Sequence, residues 1–216
     1  MSEHTYSVVR SDLLVDAPII ALRRDEVTMP GEHTAGREIV EHFGSVVIAA
    51  VDKQQRIALV RQYRHSVGRR LWELPAGLLD FAGEEALEAA KRELAEEAGV
   101  EAATWNVLAD VVTSPGFCDE ASRIFLARDV TRVDKPVGED EEADMVVEWV
   151  DLAEARRAVM AGHIVNSLAV SGILSCAHVI LDGGTPRSVD SPWSDRPQAL
   201  ARRRQTQGVI PDMKKI

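Results

Sequence analysis

Between Glu84 and Glu97 the chain carries six glutamates against Lys91 and Arg92. Leu87, Ala90, Leu94 and Ala98 recur at three- and four-residue steps, which predicts a helix with one apolar stripe, and Gly99 stands where such a helix stops. On that helix Glu93 and Glu97 point the same way, with Glu96 beside them. Like charges at this spacing cost about 0.2–0.5 kcal/mol per pair in a bare helix. The last turns are also the end at which the helix dipole disfavours anions. Two readings are open. The carboxylates form a solvated acidic face, or they form an oxygen-ligand site for hard divalent cations such as Mg²⁺.

The spacing of the stretch Leu74–Val100 bears on that choice. Glu84 is followed by seven residues and then by Arg92-Glu93-Leu94-Ala95-Glu96-Glu97-Ala98-Gly99-Val100. This resembles the Nudix box, G-x5-E-x7-R-E-U-x-E-E-x-G-U with U a bulky apolar residue, found in hydrolases of nucleoside diphosphates linked to another group. From Gly77 to Glu84 there are six intervening residues where that pattern has five, which puts one extra residue in the loop before the helix. Leu-Pro-Ala-Gly at 74–77, Gln-Tyr-Arg at 62–64 and Pro115, fifteen residues beyond Val100, are similar to the ADP-ribose pyrophosphatases of the actinobacterial type.

The resemblance implies metal-dependent hydrolysis of the pyrophosphate of ADP-ribose to AMP and ribose 5-phosphate, with Mg²⁺ as cofactor and Mn²⁺ as the alternative. Glu93, Glu96, Glu97 and the backbone carbonyl of Ala76 would hold the metal. Glu97 also counts among the catalytic residues. The catalytic base falls on the acidic loop Gly138–Met145, at Glu142 or, one residue away, Glu141. Arg37 and Glu38 would reach the substrate from a partner subunit, Ile20 would pack on adenine, and Arg64 would meet the phosphates. Glu73, Leu78, Ser114 and Glu120 would line the pocket. Two other activities remain open: hydrolysis of another nucleoside diphosphate derivative, such as a sugar nucleotide or NADH, and nucleotide sensing without hydrolysis.

Several elements must position these residues. Tyr6–Asp16, Ala17–Met29 and Arg37–His42 read as strands of a small module. Ser45–Val51 and Arg56–Tyr63 are stronger strand candidates, followed after the box by Trp105–Val112, Ser122–Leu126 and Val146–Val150. Helices are expected over Leu152–Ala161 and Asn166–Leu181. The order implies an α/β protein, a Nudix α/β/α sandwich with a mixed sheet plus an N-terminal antiparallel β module. The expected division is 1–43 for that module, at the interface of a homodimer, 44–182 for the hydrolase domain and 183–216 for an irregular tail.

Composition narrows the function classes. The 216 residues are enough for one domain of ordinary size with an appendage. A net charge of −10 disfavours nonspecific binding to nucleic acid or membranes. The partner that fits is a small-molecule nucleotide. Cys118 and Cys176 make no disulfide framework or metal spacing. His42, His65 and His163 each stand apart from other candidate ligands and read as packing or surface residues. No secretory pattern opens the chain and no apolar run is long enough to span a bilayer, so a cytoplasmic location is expected.

Overall fold

A computed structural model of the chain describes residues 4–31, 33–134 and 144–214. Its organising strand is β4 (Ser45–Ala50), every residue of which is buried. Val46, Ile48 and Ala50 enter one apolar cluster, and Val47 and Ala49 enter another. A strand apolar on both faces needs a cover on each side. On one side lies α1 (Ala86–Ala98), through Ala89, Ala90 and Leu94. On the other lie α2 (Leu152–Met160) and α3 (Ser167–Ile180), through Leu152, Ala155, Ala169, Ile173 and Cys176. This is the expected α/β/α sandwich.

The sheet between them is mixed. β4 runs parallel to β9 (Ala121–Arg132) and antiparallel to β7 (Ala76–Leu78), and β8 (Val100–Val112) closes the far edge against β9. A second, antiparallel sheet orders β10 (Val146–Asp151), β5 (Arg56–Arg64) and β6 (Arg69–Glu73). β6 and β7 are too short and irregular in pattern to stand out in the sequence. The stretch around Arg69 and Arg70 is a strand paired with β5.

β1 (Val8–Asp16), β2 (Ile20–Met29) and β3 (His33–His42) form the antiparallel N-terminal sheet. β3 touches the main body through backbone bonds: Val40 N–H donates to Phe117 O at 2.7 Å and Asp119 N–H to Val40 O at 3.0 Å. β1 leaves Val8, Val9, Leu13, Leu14 and Val15 between 43 and 61% exposed.

The segment after Gly183, expected to be irregular, instead contains α4 (Ala199–Thr206). Charge fixes this helix as much as apolar packing does. Arg203 forks onto the buried carboxylate of Glu41 at 2.8–3.0 Å, and the fully buried Arg204 meets Asp16 and the carbonyl of Ala17. Leu200 joins Phe43, Ala21 and Met213 in a small cluster of its own. No helix among the described residues is long and apolar enough to cross a membrane.

Candidate active site

The site begins with the turn between β6 and β7. Glu73, Leu74, Ala76, Gly77 and Leu78 line one side of a cleft of about 520 Å³, and Arg64, His42, Thr113, Glu120 and Asn166 contribute from the rest of the wall. α1 reaches this turn from below. Glu97 sits on its buried face at 6% exposure, and its Oε2 accepts the N–H of Ala76 at 2.9 Å. Glu93 packs so close to Gly77 that a Cβ there would lie 2.0 Å from its carboxyl carbon. Glycine at position 77 is therefore a steric requirement. Gly99 ends the helix in the left-handed region at φ 63°, as its position in the sequence suggests.

Arg92 holds the acidic cluster together. Its guanidinium bonds Glu84 at 3.0 and 3.2 Å, Glu93 at 2.7 Å and Glu96 at 2.9 Å, and lies 5.3 Å from the Phe81 ring centroid. Burial works against the cation, but the hydrogen bond it donates to Glu84 and the charges of Glu93 and Glu84 raise its pKa further. For Glu93 burial dominates. It pushes the carboxyl up to about 7, opposed by Arg92 and reinforced by Glu96 and Asp80.

Among the described residues no three acidic, histidine or cysteine side chains close into a ready ligand set. The donors nonetheless suit a hard divalent cation, because they are oxygens only. One guanidinium, that of Arg92, is shared by Glu84, Glu93 and Glu96, so this cluster carries more carboxylate than cation. Glu93, Glu96 and Glu97 could hold such an ion beside the Ala76 turn, where it would polarise phosphate oxygens and acidify water.

Five of the residues singled out from sequence line this cleft: Arg64, Glu73, Ala76, Leu78 and Glu120. Arg64, expected at the phosphates, is turned onto Glu73 in a two-pronged ion pair of 3.0 and 2.7 Å. Ile19 is among the residues lining the cleft and Ile20, which pairs with His42, is not. Ser114 stands in the adjoining turn, its carbonyl accepting the N–H groups of Phe117 and Cys118. Arg37 and Glu38 lie exposed on β3, and Glu38 pairs with Arg24 at 2.8 Å. They are not among the residues lining this chain's cleft. Glu141 and Glu142 lie outside the described residues.

His42 was read as packing or surface, yet it forms part of the cleft wall. Its backbone N–H donates to Asp119 at 2.8 Å, and its Nδ1 accepts the N–H of Gly44 at 3.1 Å. Burial lowers its pKa against the pull of Glu120 and Asp119. Thr113 was also missed, and it donates to Glu120 Oε2 at 2.5 Å. Neither carries a signal in the sequence, since their partners lie across β3 and the 113–120 loop.

Residues 41–167 match the NUDIX domain model. The chain is 50% identical over 204 residues to the ADP-ribose pyrophosphatase of Mycobacterium tuberculosis, covering 94% of this chain and 99% of that one. It is 34% identical over 146 residues to the methanol dehydrogenase activator of Bacillus methanolicus, covering 68% of this chain and 76% of that one. Among solved structures, an ADP compounds hydrolase superposes with a TM-score of 0.72 at 17% identity, covering 85% of this chain and 98% of the other, and so bears on the fold alone.

Proposed function

Because the chain belongs to the Nudix family, we propose that this Nudix hydrolase splits ADP-ribose with water, in a reaction dependent on Mg²⁺ or Mn²⁺, to give AMP and ribose 5-phosphate. The observation that carries the reading is the meeting of Glu93 and Glu97 with the Ala76–Gly77 turn at the wall of one cleft large enough for a nucleotide. The name of the Mycobacterium tuberculosis relative supports the choice of substrate.

In this reading Glu93, Glu96, Glu97 and the Ala76 carbonyl hold the metal at the pyrophosphate. Bound divalent metal supplies Lewis acidity for the phosphate oxygens and lowers the pKa of the attacking water. Arg92 keeps the glutamates oriented, the supporting role of a group behind the ligands. Glu142, or Glu141 beside it, takes the proton from water. Arg64, Glu73, Leu78 and Glu120 line the pocket and Ser114 borders it, and Arg37 and Glu38 enter from the partner of a homodimer. The protein acts in the cytoplasm.

The test compares turnover of ADP-ribose with that of GDP-mannose and NADH at equal concentration, with Mg²⁺ present. ADP-ribose is expected to be turned over fastest, and an equal or faster rate on either rival would overturn the substrate assignment. Glu97→Gln should lower turnover on the order of a hundredfold or more with the fold intact. A variant that kept most of its rate would remove Glu97 from the metal site. Glu142→Gln and Glu141→Gln, assayed side by side, identify the base by which of them loses the rate.

A further inference from the structure

The loop between β7 and α1 is held from outside by a distant part of the chain. Ala82 N–H donates to Pro211 O at 2.9 Å, Met213 N–H donates to Asp80 O at 2.8 Å, and Phe81 bridges to Asp212. Arg196 adds a bond to the carbonyl of Glu84 at 3.2 Å. This isolated bridge brings Lys214 to Asp80, where Nζ lies 2.8 Å from Oδ2. Asp80 is 2% exposed, and that oxygen has no hydrogen bond of good geometry. The contact is therefore charge on charge, and Lys214 is the cation that neutralises a buried carboxylate.

The neutralised carboxylate lies next to the acidic cluster. Asp80 is one of the charges that push Glu93 upward, and Lys214 in turn feels the charges of Asp80, Asp212 and Glu93. The same loop carries Phe81, under the Arg92 guanidinium, and ends at Glu84, which Arg92 grips with two nitrogens. An uncompensated charge at Asp80 would have to reach water. That displaces the loop that steadies Arg92, and with it Glu93 and Glu96.

We propose that Lys214 is a positioning residue for the metal site: by neutralising buried Asp80 it fixes the Leu79–Glu84 loop and so the placing of Arg92, Glu93 and Glu96. This inference rests on the metal-dependent hydrolase reading above. The ligand concerned is a divalent cation, and the role is exerted from a segment that follows the box by more than a hundred residues.

The experiment uses the full chain as wild type, Lys214→Met, Lys214→Arg and the double variant Asp80→Asn/Lys214→Met. Mn²⁺ binding is titrated by calorimetry without nucleotide, and kcat and KM for ADP-ribose are measured alongside. Lys214→Met should weaken Mn²⁺ binding at least fivefold and lower kcat, with KM changed less than twofold. Lys214→Arg should bind within twofold of wild type. The double variant should recover most of the affinity, because no buried charge remains to be neutralised. Unchanged or tighter binding by Lys214→Met overturns the inference, as does a double variant that stays as weak as the single one. Wild type that neither binds Mn²⁺ nor cleaves ADP-ribose would sink the functional reading, and this inference with it. Those two failures are separate results.

Discussion

At the scale of single residues, the site trades stability for function at Glu93. Burial raises its carboxyl to about 7 from an ordinary 4.5. A group shifted upward on folding contributes stability that is fully present below the unfolded value and is lost as pH rises through the folded one. In chelator, therefore, the cost of Glu93 to stability builds from about pH 4.5 and is complete above about pH 7. Glu93→Gln should unfold at higher denaturant than wild type at pH 8, by on the order of 2 kcal/mol, and differ little near pH 4. The same variant should lose most of its turnover with metal present. Denaturant unfolding at the two pH values checks the first expectation, and an unchanged or lower midpoint at pH 8 would contradict it.

At the scale of elements, the cleft depends on how closely α3 approaches the turn before β7. Gly172, buried on α3, sits where a Cβ would lie 2.4 Å from Leu74 Cδ1 and 3.3 Å from Ile124 Cγ2. Helix propensity alone favours alanine over glycine by about 1 kcal/mol. Overpacking a dense core costs about 1–3 kcal/mol, so the clash wins. Gly172→Ala is expected to lower stability by about 1–2 kcal/mol and to raise KM by displacing Leu74, which lines the cleft. Thermal unfolding together with steady-state kinetics tests this, and an alanine variant more stable than wild type would show that α3 has room to yield.

Across the whole molecule, α4 ties the N-terminal sheet to the hydrolase body. Glu41 accepts from Arg203 and from Arg23, the latter at 2.7 Å. Burial alone would raise its pKa, but the bonds and charges of Arg203 and Arg23 prevail and lower it. Stability from a lowered carboxyl is present above the ordinary value of 4.5 and disappears as pH falls through the folded one. Glu41→Gln should therefore cost on the order of 2–3 kcal/mol at pH 7 and progressively less below about pH 4. A constant difference between the two pH values, measured by denaturation, would contradict the linkage. The apolar side chains of β1 exposed on the outer sheet support a homodimer. Sedimentation at micromolar concentration should give twice the chain mass, and a monomer would count against it.

The sequence by itself determined whatever depends on neighbours a few residues apart. The box helix, its stop at Gly99 and the facing of Glu93 with Glu97 follow from the 3.6-residue period and the glycine after it, and β4 from the unbroken apolar run Val46–Ala50. Tertiary structure decided what depends on residues far apart along the chain. Arg64 turns to Glu73 because β5 and β6 pair. His42 enters the cleft because the 117–119 loop binds the end of β3. α4, with Arg-Arg-Arg-Gln-Thr at its end, shows no apolar stripe that would announce burial. Arg204 is nevertheless wholly buried, because Asp16 and the Ala17 carbonyl meet its charge from the other end of the chain. A buried charge is stable only with its partner in place, and local sequence does not say which distant carboxylate that partner is.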